Sequence, residues 1–213
     1  MSPLPEHMAS HWWPRPGRHQ GREQVHWHVL FHDQPQVQEL AREAQQRLAG
    51  LPGLDLVPAE WLHMTVLIVG FADEMESEEA LIGHARKHLS GIAPTTVTFG
   101  RILYHPEAIM LGVRPDGALD PVLGAVQDAT LAATGHHGVV EHQPWTPHVT
   151  VAYGNASRPA APIIAALGRQ LPPRELTIRT VSLVAQKQVG HIWQWRSLAE
   201  VPLGSDGVVE EGA

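Results

Sequence analysis

The chain has 213 residues, of which 43% are apolar and 17% charged, and 22 acidic side chains outweigh 15 basic ones for a net charge of −7. That length suffices for one large domain or two small lobes around a real core, and the acidic balance argues against a long nucleic-acid duplex as partner, which needs a basic face. The absence of cysteine excludes disulfides, thiolate catalysis and cysteine metal sites.

No apolar run is long enough to span a membrane, and the first 23 residues lack the apolar stretch of a secretory signal, so a cytoplasmic protein is expected. Residues 1–23, rich in Pro, His and Arg, read as a flexible arm; Trp12 and Trp13 in it are candidates to dock elsewhere. "VHWHVLFH" (25–32) alternates, with Val25, Trp27, Val29 and Phe31 on one face and His26, His28, Leu30 and His32 on the other, which predicts a strand. Val37, Leu40, Ala44 and Leu48 recur at helical spacing between Pro35 and Gly50. A short strand at 54–58 precedes a strong one, "HMTVLIVG". The next helix is acidic early and basic late, with Arg86, Lys87 and His88 at its end. A hairpin follows around His105-Pro106-Glu107, then a helix over 119–133, and "GHHGVVEHQP" reads as a solvated loop. "HVTVAYG" is a further strand, "APIIAALGRQL" a short helix, and residues 175–203 a final hairpin around Val189-Gly190. Residues 204–213 are expected to be a flexible acidic tail.

Two segments echo each other. "WLHMTVLIVG" (61–70) and "WTPHVTVAYG" (145–154) each place His-x-Thr in an apolar strand. Because strand side chains alternate, His63 and Thr65 share one face, and His148 and Thr150 share another. The repeated order of elements suggests a duplicated α+β unit, whose two-fold arrangement would bring two imidazoles and two hydroxyls to one groove. That set suits in-line displacement at phosphorus. One histidine acts as base for the attacking oxygen and the other as acid for the leaving oxygen. The threonine hydroxyls donate to the non-bridging oxygens. None of these roles needs a metal.

The paired motifs resemble the His-x-Thr/Ser signatures of the 2H phosphoesterase superfamily, which includes the RNA 2',3'-cyclic phosphodiesterases also called 2'-5' RNA ligases. "LHMTVLIVGFADE", "AIMLGV", "WTPHVTVAYGN" and the closing "VSLVAQKQVGHIWQWRSLAEVPL" follow the family's order, over roughly residues 25–203. The resemblance implies a bilobal α+β fold, one domain over 24–203, with two antiparallel sheets related by a pseudo-two-fold axis, helices outside and a central cleft. It implies His63 and His148 as the catalytic pair and Thr65 and Thr150 as phosphate binders, with no cofactor and no metal. The implied partner is a small nucleotide or RNA end carrying a cyclic phosphate, bound by a monomer. Many members carry arginines near the second motif, where this chain has Ala152-Tyr153-Gly154-Asn155; Lys187, Arg158 and Arg101 are the nearest basic candidates.

Lys187 and His28 are further substrate-contact candidates, and Trp61, Trp145, Trp193 and Trp195 could stack a base. The reverse reaction, joining a 5'-hydroxyl to the cyclic phosphate, would use the same site. Two rivals stand beside these readings: a nucleotide-binding sensor without chemistry, and a metal-dependent hydrolase using His26, His28 and His32.

Overall fold

A computed structural model describes residues 4–13, 21–141 and 143–204. The expected acidic tail lies outside the described residues from position 205 onward. The elements are β1 (His7–Met8), β2 (Gln24–Leu30), α1 (Pro35–Leu48), β3 (Leu54–Leu56), β4 (His63–Phe71), α2 (Glu78–Leu89), β5 (Thr95–His105) and β6 (Ala108–Arg114). They continue with α3 (Asp120–Thr134), β7 (His148–Gly154), β8 (Arg158–Pro159), α4 (Ala161–Leu167), β9 (Gln170–Ile178), β10 (Thr180–Val189) and β11 (Ile192–Pro202).

The local rules read in the chain are met. Val37, Leu40, Ala41, Ala44 and Leu48 form the buried stripe of α1, which has Pro in its first turn, where no intrahelical N–H is needed. Ser77 caps α2 by accepting from the Ala80 amide at 3.1 Å, with Glu78 and Glu79 in the positive first turn. In β2, Val25, Trp27 and Val29 are buried as the alternation requires, and the Trp27 indole N–H donates to Thr130 Oγ1 of α3.

Two antiparallel sheets result, ordered β11-β10-β2-β4 and β3-β7-β6-β5-β9. Helices α2 and α3 pack together, reaching β11 and β4 respectively, while α1 and α4 pack together and α1 lies on β9 and β7. The molecule is the expected α+β duplication, but its sheets do not follow the two halves of the chain. The hairpin β5–β6, which follows the first His-x-Thr strand, joins the sheet of the second; the closing hairpin β10–β11 joins the sheet of the first. The stretch read as one strand before Gly190 is divided at Arg179, with β9 pairing β5 and β10 pairing β2.

Residues 4–13 are not a free arm. β1 pairs β8, the Ala9 amide donates to the Pro106 carbonyl at 2.7 Å, and the His11 amide donates to the Gly154 carbonyl at 2.8 Å. Met8 and Trp12 are buried. The segment carries too little periodicity to show this in sequence, because its contacts are backbone bonds and isolated side chains rather than a repeating apolar face. The loop after α3 is likewise pinned. Val139 exchanges both backbone hydrogen bonds with Ile68, at 2.8 Å each, while His136 and His137 stay exposed. No helix among the described residues is long and apolar enough to cross a membrane.

Candidate active site

The two motif strands start the same way. His63 opens β4 and His148 opens β7, and the two strands adjoin across the space between the sheets. A cleft of about 190 Å³ lies there. His63, Thr65, His148 and Thr150 all line it, with His11, His105, Glu107, Glu141 and Tyr153 around them. Strand alternation therefore delivers the four motif side chains to one space while Met64, Val66, Val149 and Val151 are buried on the opposite faces.

Both imidazoles are oriented by the same device. His63 Nδ1 lies 2.9 Å from the Trp61 carbonyl and His148 Nδ1 lies 2.7 Å from the Thr146 carbonyl, each two residues upstream. A carbonyl only accepts, so Nδ1 carries the hydrogen in each ring and Nε2 is left with its lone pair. A histidine so held takes or gives a proton at Nε2 without turning.

His63 is half-buried. Burial holds its pKa below the usual histidine value, the Trp61 carbonyl and the Glu141 carboxylate push the other way, and a charge on His148 lowers it further. Beneath it the His28 ring stacks at 4.4 Å and 21°. His28 is fully buried, and its Nε2 lies 3.4 Å from Thr65 Oγ1. His26 packs edge-on behind His28 at 5.1 Å. Burial, reinforced by the neighbouring His63, pushes the His26 pKa down to about 3 and that of His28 well below the ordinary value. The Nδ1 atoms of both lack a hydrogen-bond partner.

Other sequence candidates stand elsewhere. His28 supports the cleft from below and does not line it. Lys187 follows Gln186 on β10 and so takes the other face of the sheet, where it is exposed and 3.9 Å from Glu23. Arg101 sits 3.9 Å from Asp116, Arg158 is exposed, and neither lines the cleft. His32 is exposed, away from the buried His26 and His28. Among the described residues no group of three or more His, Asp or Glu is placed to hold a metal ion. Trp195 packs against His63 at 4.8 Å, Trp61 and Trp193 border a narrow crevice that shares His63 and Tyr153 with the cleft, and the Trp145 N–H donates to the Thr65 carbonyl at 3.3 Å.

Sequence reasoning did not identify His11, His105, Glu107 and Glu141. Their signals were present but local. The Trp12-Trp13 pair marked a docking segment, and the His-Pro-Glu turn reads as punctuation unless one knows that it faces the second motif strand.

A family model for the 2'-5' RNA ligase superfamily matches residues 31–190. Among solved structures, the Thermus thermophilus protein TT0787 is similar with a TM-score of 0.67 at 18% identity, over 86% of this chain and 99% of that one. E. coli LigT complexed with 3'-AMP is similar with a TM-score of 0.61 at 17% identity, over 87% and 100%. The MHV ns2 PDE domain is similar with a TM-score of 0.52 at 12% identity, over 84% and 100%. At these identities the likeness is one of fold. No curated protein matches the sequence.

Proposed function

Because the chain belongs to the 2'-5' RNA ligase superfamily, we propose that it is a phosphodiesterase that opens 2',3'-cyclic phosphodiesters of small nucleotides or RNA ends without a metal. The observation that carries this reading is the matched pair of imidazoles, each held by a carbonyl two residues upstream so that Nε2 is free. Binding alone does not need two titrating groups fixed at the same ring atom. The complex of LigT with 3'-AMP supports a ligand that carries a phosphate on ribose.

In the proposed reaction His63 is the base. Burial keeps it neutral, so its Nε2 can take a proton from water as the water oxygen attacks phosphorus. His148 enters as the imidazolium, with Nδ1–H still on the Thr146 carbonyl, and gives its Nε2 proton to the leaving ribose oxygen, and the ring of the diester opens to a phosphomonoester. Thr65 and Thr150 donate hydroxyl hydrogens to the non-bridging oxygens, where charge rises in the transition state. The reverse, with a 5'-hydroxyl as the attacking group, exchanges the roles of the two histidines at the same site.

The test is hydrolysis of 2',3'-cyclic nucleotides in excess EDTA. Turnover is expected to survive the chelator and to fall about 10²–10⁴-fold in His63→Ala and in His148→Ala, the usual worth of a general acid or base. A near wild-type rate in either folded variant, or loss of turnover in EDTA, would sink the mechanism.

A further inference from the structure

Trp195 does not line the cleft. Its indole packs instead on the rings around His63. Resting on the phosphodiesterase reading, we propose that Trp195 is a positioning residue of that reaction: it holds the His63 ring on its carbonyl and keeps water from it, and so makes His63 rather than His148 the base.

β11 and β4 are the two outer strands of their sheet, so the contact is not a cross-strand pair but reaches over the strands between. Trp195 stands opposite Gln186 of β10. Its ring lies 4.8 Å from His63 at 66° and 5.9 Å from His28 at 87°. It is thus steep to both rings of the His28–His63 stack, in the edge-to-face manner that aromatic rings prefer. The same indole lies 4.8 Å from that of Trp61 at 86°. Trp61 is the residue whose carbonyl accepts from His63 Nδ1 at 2.9 Å. Trp195 therefore packs on both partners of the hydrogen bond that aims Nε2 at the substrate.

The two motif histidines share the carbonyl device but not these surroundings. His63 has the His28 and Trp195 rings against it, whereas His148 has no aromatic ring packed on it among the described residues, and its bond to Thr146 is exposed. Like groups in unlike surroundings divide into acid and base. Rings that exclude water disfavour the charged imidazole, and burial is the largest influence on His63. A cation over an indole face would be favoured instead, so the direction of change on removing Trp195 separates the two effects. The titratable groups facing His63 are His28 from β2 and, around the cleft, His148, Glu141, Glu107, His11 and His105. From β11, Arg196 follows Trp195 onto the other face, where it pairs with Glu23. Trp195 is uncharged, so its removal alters none of these charges.

The experiment compares the wild type with Trp195→Thr and Trp195→Phe. Threonine suits a strand and removes the ring, and Trp195 is half-buried, so its loss leaves no sealed cavity. Melting curves confirm folding. His63 is titrated by NMR through its ring protons, assigned by their absence in His63→Ala, and kcat/KM for a 2',3'-cyclic nucleotide is measured across pH. In Trp195→Thr the His63 titration and the acid limb of kcat/KM, which reports the base, are expected to move together to higher pH. At the same time kcat falls about tenfold, the scale of one aromatic contact, with KM little changed. Trp195→Phe moves the same way by less. The proposal is overturned if His63 in folded Trp195→Thr titrates as in the wild type or lower, or if histidines far from the stack shift as much. It is equally overturned if the loss falls on KM alone, as removal of a base-stacking platform would give, or if Trp195→Thr does not fold. Should the wild type turn over no cyclic nucleotide, the phosphodiesterase reading fails by itself. The titrations need no substrate, and the same shifts then judge the hold of Trp195 on His63.

Discussion

Thr65 has a single hydroxyl hydrogen, and its use depends on a neighbour that never meets the cleft. His28 Nε2 lies 3.4 Å from Thr65 Oγ1, while His28 Nδ1 is buried without a partner. A buried N–H left unpaired is rarer in proteins than an unpaired acceptor. The tautomer with its hydrogen on Nε2 is therefore favoured, and it donates to Thr65, which leaves the threonine hydrogen for the proposed phosphate site. His28→Phe keeps a flat ring under His63 and removes that donor. Turnover is expected to drop about tenfold, the worth of one ordinary hydrogen bond. In a double-mutant cycle, His28→Phe should add little once Thr65→Val is present; additive losses would mean that His28 acts on packing alone. At this scale the sequence was informative about the motif residues, because alternation alone assigns His63, Thr65, His148 and Thr150 to inward faces. It was silent on His28 as a support, since a strand pattern does not distinguish a side chain that lines a space from one buried beneath it.

As an element, β2 carries two imidazoles into the interior, which gives its burial a pH dependence. Folding lowers the pKa of His26 to about 3 and shifts His28 and His63 the same way. These groups are depressed in the folded state, so the unfolded chain binds more protons below the ordinary histidine value of about 6.5. Stability is full above that value and is lost as pH falls from about 6.5 toward 3. His26 contributes about 1.4 kcal/mol per pH unit across most of that window, and His28 and His63 act in the same direction. Denaturant midpoints at pH 7, 6 and 5 should fall steadily, and the fall should be shallower in His26→Val, whose cross-strand neighbours Ile68 and Val184 are apolar. A flat profile in the wild type would contradict the burial of these rings. The alternation of β2 was legible, but it offered His28 as a substrate contact, or with His26 and His32 as a metal ligand. The structure buries both faces: Trp27 packs on α3 through Thr130, while the His63 ring and Trp195 close over His28.

For the whole molecule, the duplication was readable from two matching strands, and the exchange of hairpins was not. A hairpin's pattern tells which face is apolar but not which sheet edge it joins, and Arg179 carries no mark that the chain changes sheets there. The exchange makes a testable demand on folding. A fragment of residues 21–118 holds β2, α1, β3, β4, α2, β5 and β6, yet lacks the β10 partner of β2 and the β7 partner of β6. It should show no cooperative melt and no dispersed amide spectrum, whereas two lobes that followed the halves of the chain would leave it folded.

The same crossing of hairpins bears on how the groove can breathe. Two bodies that merely abut can part along their seam like the jaws of a hinge. Here the chain passes from one sheet to the other after β2, β3, β4 and β9, so the two walls of the groove are tied by four connections. Opening of the groove is a movement of those connections, with every strand keeping its sheet. One imidazole rides on each wall, so the distance between them reports any such movement.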